Sequence, residues 1–374
     1  MIKQNIYKPR REQIYDWMAR ENIAMIMLED AEGRRDSNIR WLTGQPGDAL
    51  LFLSVGRKSL LVPWDVNIAG IYADAEHIRA YSTFDRMPVK ACKKAAEFFK
   101  IPAGAKIELP PETSYPRFLK FIEALGGFDT LCREDGVFPE LEHFRAVKDS
   151  AEIALYRKAA AITNDLIDSL EKLLRQGKLK TEIDAAAFID TESRRRGCEG
   201  TGFETLAAGP SRSFAIHAFP AYSGESFGGK GLSILDFGLV YAGYTTDVTI
   251  TAARDPSRPQ EKLLSLVEKT AKLALSRAKP GTPAVQIASA VDEVFARAGK
   301  TMPHALGHGI GLDPHEGPAM RNRNDNQWIL EPGMVIALEP GLYDPLLGGC
   351  RLENDILITK DGAEVLTRSR IIRL

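Results

Sequence analysis

The strongest constraint on the fold is a pair of acidic residues placed inside apolar segments. In SILDFGLVYAGYTTDVTIT, two apolar extended segments are joined by YAGYT, which predicts a β-hairpin with Asp236 in one strand and Asp247 in the other. An aspartate in a strand as apolar as ILDFG loses its water, which is costly unless its charge is compensated. Strand alternation places Thr249 on the face of Asp247, within reach of a hydrogen bond. A bound cation would compensate both charges, although two such aspartates taken alone are more often structural or exposed.

Three of the six histidines lie in one short glycine-rich segment, MPHALGHGIGLDPHEGP. They are His304, His308 and His315, and the glycines between them favour extended or looped backbone over a regular helix. This concentration predicts that the histidines line a cavity. His77 and His143 have no such neighbours and are expected to be ordinary core or surface residues.

Two further carboxylates lie near the C-terminus in similar settings. In EPGMVIALEPGLY the apolar strand MVIAL ends at Glu339, and the following proline favours extended geometry there. In GGCRLENDILIT, alternation places Arg351, Glu353 and Asp355 on one strand face, so Arg351 should enter the same cavity as Glu353. A salt bridge between neighbouring strands would also explain Arg351, without any catalytic role.

The four carboxylates and a histidine share one setting, because each lies in an extended segment bordered by glycine or proline. If the carboxylates converge, their mutual repulsion requires cations, and two divalent ions supply the four positive charges that balance them. An oxygen-rich site with a single imidazole suits manganese, cobalt, iron or catalytic zinc better than copper or structural zinc. The sequence therefore predicts a site for two divalent metal ions.

The chain divides into two regions with different patterns. In the first, helical patterns over 10–21 and 88–99 alternate with the apolar runs IAMIML, ALLFLS and SLLVPW, which indicates an α/β domain. The segment FPELEHFRAVK, residues 138–148, carries proline and charge and is the expected linker. We therefore expect domains over residues 1–140 and 141–374.

The second region repeats one order of elements. A helix capped by Asp149 is expected to continue to about residue 176, and a second helix over 181–196 precedes extended segments. A helix over 258–279 and another capped by Thr282, with proline in its first turn, precede further extended segments. The order helix, helix, strands occurs twice, which indicates an internally duplicated domain of the α+β class.

The charge balance and the cysteines restrict the class of partner. The 374 residues include 49 Lys and Arg against 50 Asp and Glu, so no net field would draw the chain to nucleic acid or a membrane surface. The charged N-terminus lacks the apolar core of a secretory signal, and no apolar run reaches membrane-spanning length, so a cytoplasmic location is expected. The four cysteines show no C-x-x-C spacing, so neither a disulfide framework nor a thiolate zinc site is expected. The expected partner is a small molecule.

Taken together, these motifs resemble the pita-bread metallopeptidase family, which includes Xaa-Pro dipeptidase (prolidase), Xaa-Pro aminopeptidase, methionine aminopeptidase and creatinase. The resemblance covers nearly the whole chain, including SNIRWLTGQPG and RAVKDSAEIALYRKAA. It implies a C-terminal pita-bread fold of duplicated helices and a curved antiparallel sheet, a smaller N-terminal creatinase-like α/β domain, and a homodimer. The family orders its metal ligands Asp, Asp, His, Glu, Glu, and the matching positions are Asp236, Asp247, His308, Glu339 and Glu353.

The resemblance also implies roles for residues around these ligands. The histidine spacing and the additional N-terminal domain are more similar to the proline-specific peptidases than to methionine aminopeptidase. Glu339 is then the general base and acid, and His315 and His217 stabilise the oxyanion. The substrate is expected to be a small peptide with proline at the second position, and manganese is the favoured ion. The substrate-binding residues implied are His304, Arg351 and Tyr343.

One departure from the family pattern bears on specificity. After Asp247 the proline-specific enzymes usually have D-x-T-R-T, whereas this chain has DVTIT, with Ile250 at the arginine position. Three functions stay open: an Xaa-Pro dipeptidase or aminopeptidase, another metal-dependent hydrolase or lyase of a small amide or zwitterion on the same fold, and a catalytically inactive peptide-binding scaffold. Creatinase-like chemistry is less expected, because that branch works without metal.

Overall fold

The structure is a computed structural model that describes residues 6–374. Its contacts divide the chain into two compact units, one that ends at Phe144 and one that spans Arg145–Leu374. The domain ranges 1–140 and 141–374 stay a prediction. Among the described residues, no helix is both long enough and apolar enough to cross a membrane.

The first unit is built on a mixed six-stranded sheet with the order β4-β3-β2-β1-β5-β6. Its strands are β1 (Ile23–Asp30), β2 (Ala49–Ser54), β3 (Lys58–Pro63), β4 (His77–Ile78), β5 (Lys106–Leu109) and β6 (Asp129–Cys132). Its helices are α1 (Tyr7–Glu21), α2 (Ser37–Thr43), α3 (Val66–Tyr72), α4 (Pro88–Phe99) and α5 (Tyr115–Ala124), followed by α6 (Val137–Ala146). A short 3₁₀ turn covers Tyr81–Phe84. The α/β pattern predicted for this region is confirmed.

The segment expected to link the domains is helical, because most of it belongs to α6. Its leucine, glutamate, arginine and alanine residues favour a helix, and Pro139 lies in the first turn, where a missing N–H is tolerated. The two compact units meet in sequence within this helix, between Phe144 and Arg145.

The second unit contains two pairs of helices, and each pair is followed by strands. The helices are α7 (Ser150–Arg175), α8 (Glu182–Arg195), α9 (Arg258–Arg277) and α10 (Ala284–Arg297). The first set of strands is β7 (Gly200–Thr201), β8 (Leu206–Ala208), β9 (Gly231–Phe237), β10 (Leu239–Tyr241), β11 (Tyr244–Thr245) and β12 (Val248–Arg254). The second set is β13 (Gly307–Gly309), β14 (Glu316–Met320), β15 (Val335–Leu338), β16 (Gly341–Asp344), β17 (Gly348–Arg351), β18 (Asn354–Thr359), β19 (Gly362–Val365) and β20 (Ile371–Arg373). The predicted order of elements is confirmed.

Two sheets form the centre of this unit, with the strand orders β20-β12-β9-β8 and β14-β13-β15-β18-β19. Nearly all pairs are antiparallel, and the exception within these sheets is β20, which pairs parallel with β12. The helices cover one side of the sheets. Leu235, Phe237 and Ile250 pack in one apolar cluster with α7 and α8, and Ile336 and Ile356 pack in another with α9 and α10. Strand alternation leaves the residues between them on the other side.

Local sequence signals set the starts of two helices. Asp149 accepts hydrogen bonds from the backbone N–H groups of Ala151 and Glu152, and the Glu152 side chain accepts one from the Asp149 N–H, which completes a capping box. Thr181 and Asp184 form a second capping box at the start of α8. Both predicted starts are confirmed.

The predicted cap of α10 is wrong by one residue, because Pro283 rather than Thr282 precedes its first turn and makes no side-chain cap. The Thr282 carbonyl instead accepts a hydrogen bond from the Leu330 N–H, and Pro283 forms an isolated bridge with Ile329. Pairing with this distant extended segment therefore keeps Thr282 out of the cap.

The hairpin predicted for the two aspartates is correct for Asp236 and wrong for Asp247. Strands β9 and β12 pair antiparallel with Asp236 opposite Thr249, whereas Asp247 lies directly before β12. The chain between them forms β10 and β11, which belong to a separate sheet with β7. Gly238 lies between β9 and β10, where the chain leaves one sheet for the other, and a side chain at this position would collide with the Thr246 carbonyl.

Candidate metal centre

All five predicted ligands converge on the side of the sheets that faces away from the helices. They form three overlapping groups whose candidate ligand atoms lie within 4.8 Å of one another. These groups are Asp247 with His308 and His315, His308 with Glu339 and Glu353, and Asp236 with Asp247 and Glu353.

Pairing between strands brings these distant residues together. His308 lies opposite Ala337 in the β13–β15 pair, two residues before Glu339, whose N–H donates to the Leu306 carbonyl at 2.9 Å. The Glu353 N–H donates to the Thr249 carbonyl at 3.2 Å, which joins the second sheet to β12. Backbone hydrogen bonds therefore fix the relative positions of the five side chains.

The distances between the ligand atoms suit an intervening ion. His308 Nε2 lies 3.7 Å from Asp247 Oδ2, 3.7 Å from Glu339 Oε1 and 4.0 Å from Glu353 Oε1. These separations are longer than hydrogen bonds. They match the roughly 3–4 Å expected between two atoms that each lie about 2.1 Å from the same metal ion.

Burial and mutual repulsion act on the carboxyl groups of the site. The side chains of Asp247 and Glu353 are only 5% and 2% exposed. Burial first, and then neighbouring carboxylates, raise the pKa of both groups well above the usual range. Burial also raises the pKa of Glu339 to about 7, against the lowering effect of Arg351. Divalent cations would relieve this repulsion.

The histidine of the site has a free lone pair at neutral pH. Burial, together with the neighbouring His315, lowers the pKa of His308 to about 4. A neutral imidazole is the form that binds a metal ion. Its Nδ1 lies 3.1 Å from the Gly309 carbonyl, so a proton on Nδ1 leaves Nε2 directed at the carboxylates.

The two carboxylate oxygens of Asp236 have different surroundings. Its Oδ2 accepts a hydrogen bond from Arg351 Nη2 at 2.5 Å, whereas the buried Oδ1 finds no donor among the described residues. Leaving a buried carboxylate oxygen unpaired is costly, and such atoms call for an explanation such as an ion. The donor set therefore fits divalent cations.

Arg351 is the centre of a buried network beside these ligands. It is 1% exposed, and its Nη1 donates to Tyr343 Oη at 2.6 Å and to the Ile216 carbonyl at 3.2 Å. Tyr343 Oη in turn lies 3.0 Å from His304 Nε2, and His304 Nδ1 lies 3.7 Å from Glu339 Oε2. Arg351 thus enters the same cavity as Glu353, as predicted, and it also forms a salt bridge with a residue of a neighbouring strand.

Comparisons with known proteins identify the family of this chain. The model of metallopeptidase family M24 matches residues 154–360. The chain belongs to metallopeptidase family M24. It is 32% identical to an Xaa-Pro dipeptidase of Pyrococcus horikoshii over 98% of both chains, and 32% identical to the putative dipeptidase YkvY of Bacillus subtilis over 82% of this chain and 79% of the relative. The crystal structure of an X-Pro aminopeptidase from Thermotoga maritima superposes with a TM-score of 0.84 at 27% identity, covering 98% of this chain and 99% of that one. The pita-bread fold class is confirmed.

Two further histidines predicted for the site, His217 and His315, are exposed. The His315 ring lies edge-on to the His308 ring, with a centroid separation of 4.1 Å, at the opening of the metal-binding groups. His217 directly follows Ile216, whose carbonyl accepts a hydrogen bond from Arg351. Burial lowers the pKa of His304 and of His315, and nearby His217 adds to the lowering of both. The structure therefore brings both histidines to the edge of the site.

The partner predicted for Thr249 is wrong. Its hydroxyl donates to Glu353 Oε2 at 2.7 Å and accepts from Arg351 Nε at 2.9 Å, and no hydrogen bond joins it to Asp247 among the described residues. The cause is the backbone bond between Glu353 and Thr249, which places the glutamate nearer than the aspartate.

Sequence reasoning did not assign a role to Asp355, which is fully buried. Both of its carboxylate oxygens lie within hydrogen-bond distance of the Asp247 N–H, at 3.3 and 3.2 Å. It therefore fixes the backbone of one candidate ligand and belongs to none of the three ligand groups. The signals in the sequence were its position directly before the apolar run ILI and the strand face that it shares with Arg351 and Glu353.

Ile250, at the position where arginine is usual, lies in the apolar cluster beneath α7 and α8 and is fully buried. Its side chain faces away from the metal centre, because it alternates with Thr249 and Thr251 along β12. An apolar side chain fits this position.

Proposed function

We propose that this M24 chain is an exopeptidase that hydrolyses Xaa-Pro peptide bonds with the help of two divalent metal ions. The observation that carries the proposal is the convergence of four carboxylates and one neutral imidazole in a single buried centre. The printed names of its relatives, an Xaa-Pro dipeptidase and an X-Pro aminopeptidase, support the choice of substrate.

In this proposal His308, Glu339 and Glu353 would hold one ion, and Asp236, Asp247 and Glu353 would hold the other, as two of the three groups suggest. Four carboxylates balance the charge of two divalent ions, and manganese is favoured by the oxygen-rich donors. When bound, the ions supply Lewis acidity and bring the pKa of a water molecule close to neutral.

The protein's own groups then handle the proton and the substrate. Glu339 accepts a proton from the attacking water and returns it to the leaving nitrogen, as a carboxylate within reach of both atoms can do. His315 and His217, at the edge of the site, stabilise the developing oxyanion. The substrate-binding residues are His304, Arg351 and Tyr343, which are already joined by hydrogen bonds.

The substrate of the proposal is a small peptide with proline at the second position. The bond before proline has no amide hydrogen, so a site that recognises it must rely on shape and on contacts to other atoms. Assays on Xaa-Pro dipeptides and on a longer Xaa-Pro peptide distinguish a dipeptidase from an aminopeptidase. The homodimer and the cytoplasmic location stay predictions.

A metal analysis combined with a substrate panel tests this function. Purified protein is stripped with a chelator, reloaded with Mn²⁺, Co²⁺, Fe²⁺ or Zn²⁺, and assayed on Ala-Pro, Leu-Pro, Ala-Ala and the tripeptide Ala-Pro-Gly. We expect about two ions per chain and turnover of the Xaa-Pro substrates but not of Ala-Ala.

Other outcomes would point to the competing functions. Stoichiometric metal without hydrolysis of any peptide would indicate a different metal-dependent reaction on the M24 fold. Absence of both metal and hydrolysis would indicate a peptide-binding scaffold. Asp236→Asn serves as the variant that should lose metal, and Glu225→Gln, which neutralises an exposed carboxylate outside the ligand groups, is its control.

A further inference from the structure

A second cavity lies on the side of the C-terminal sheet that carries the helices. Its volume is about 320 Å³, within the range of small-molecule pockets. Along α9 it is lined by Glu268, Ala271, Lys272 and Leu275, which recur every three or four residues and so share one helix face. The opposite wall is formed by strands β15, β18, β19 and β20.

The register of the sheet separates this cavity from the metal centre. Leu338 pairs with Asn354, and Ile356 pairs with Val365, so these lining residues lie on one face. His308 pairs with Ala337, which pairs with Asp355, and these residues lie on the opposite face. The cavity is thus distinct from the ligand groups, although Leu338 and Leu352 directly precede Glu339 and Glu353 in sequence.

The lining is mainly apolar, with a polar rim. Leu338, Ile356 and Ile371 are each less than a tenth exposed, and leucine residues complete the walls. Ser369 also lines the cavity, and its buried Oγ has no hydrogen-bond partner among the described residues. A ligand with an apolar chain and a polar end would match this distribution.

The charges at the rim determine the sign of the polar end. Glu268 is neutralised by Arg373 at 3.0 Å, and Arg370 is occupied by Glu171 at 2.6 Å. Lys272 is exposed and makes no ion pair within residues 6–374. The unpaired charge at this cavity is therefore positive.

We propose that the cavity between α9 and the sheet binds a small carboxylate with an unbranched apolar chain. The chain lies between Leu275 and Ile356, the carboxylate binds Lys272, and the Ser369 hydroxyl donates to a carboxylate oxygen. This site is separate from the proposed peptidase centre and does not depend on it.

Calorimetric titration with octanoate tests the proposal on the full chain, both loaded with Mn²⁺ and stripped of metal. We expect one saturable site in both forms, with affinity falling roughly threefold to fourfold for each methylene removed in hexanoate and butanoate. Octylamine, with the opposite charge, should bind more weakly than octanoate.

Three variants locate the site. Ala271→Phe fills the cavity and should weaken octanoate binding by at least about tenfold, which is roughly the contribution of two methylenes. Lys272→Glu should weaken it by about threefold to tenfold without filling the cavity. Lys269→Glu makes the same charge change elsewhere on α9 and should leave binding within about twofold of the original.

Several results would overturn the proposal. One is the absence of saturable binding in both metal states. Another is binding that requires Mn²⁺ and survives in Ala271→Phe, since it would place the carboxylate on the metal centre. Equal loss in Lys272→Glu and Lys269→Glu would indicate unspecific charge attraction and would likewise refute the site.

Discussion

Once metal is removed, the contribution of Glu339 to the stability of this protein should fall as the pH rises. In the ion-free site, burial raises the pKa of Glu339 from 4.5 to about 7, so the folded chain holds a proton that the unfolded chain has released. The free energy of unfolding decreases with pH wherever the folded state binds more protons. For Glu339 this stabilisation is complete below pH 4.5 and is lost as the pH rises through 7.

The size of the effect follows from the two pKa values. A tenfold change in an acid dissociation constant corresponds to about 1.4 kcal/mol, so the difference between 4.5 and 7 gives about 3 kcal/mol for Glu339 alone. Most of it, about 2–3 kcal/mol, falls between pH 5 and 8. The side chain is 19% exposed, so little of this is lost to solvent screening. Asp247 and Glu353, whose pKa values are also raised, add to the decrease.

Urea unfolding followed by tryptophan fluorescence measures this dependence. Chelator-treated protein is compared with Mn²⁺-loaded protein at pH 5, 6, 7 and 8. The Glu339→Gln variant should remove about 2–3 kcal/mol of the decrease in the apoprotein, whereas Glu225→Gln should remove none of it. The buried histidines, whose pKa values are lowered, change stability in the opposite direction, so the Glu339 contribution is measured as the difference between the original and the Glu339→Gln apoprotein. If that difference stays constant over this interval, burial does not hold the Glu339 carboxyl group protonated as described, and the argument for cations at this site fails.

Three further substitutions test other parts of the molecule. In the Mn²⁺-loaded enzyme, Glu339→Gln should keep the fold and lower turnover of an Xaa-Pro dipeptide by about 10²- to 10⁴-fold; turnover near the original level would remove its role in proton transfer. Thr249→Val removes two buried hydrogen bonds to charged groups and should cost about 2–4 kcal/mol in thermal or urea unfolding, with weaker Mn²⁺ binding by calorimetry. Tyr244→Phe removes a buried hydrogen bond of 2.8 Å to Glu152 and should cost about 1.5–3 kcal/mol. Tyr156→Phe is its control, because the buried Tyr156 hydroxyl has no partner among the described residues, and its unfolding should change by less than about 1 kcal/mol; equal losses in the two variants would contradict this assignment.

Features that depend on neighbours in sequence could be predicted well. The capping boxes at Asp149 and Thr181 need only the three following residues, and both helices begin where expected. The convergence of the ligands also followed from the sequence, because a charge inside an apolar strand requires compensation wherever the strand lies. Metal binding by these residues stays a prediction.

Features that depend on distant contacts could not be predicted. Thr282 does not cap α10, because its carbonyl accepts a hydrogen bond from the Leu330 N–H. Thr249 binds Glu353, because a backbone hydrogen bond joins these two residues from distant parts of the chain. Alternation correctly gave the face of each side chain but not which neighbouring strand would lie beside it. The role of Asp355 could not be predicted for the same reason, because it accepts a hydrogen bond from the Asp247 N–H, which lies 108 residues away in sequence.

The joining of β12 to the segment around Glu353 also affects biosynthesis. Thr249 and Glu353 lie 104 residues apart, so their contact closes a long loop and has an entropic cost. A nascent chain on the ribosome therefore cannot complete the donor set until residue 353 has emerged. Two ions held by the groups that contain Glu353 would therefore be acquired only after translation has passed that codon.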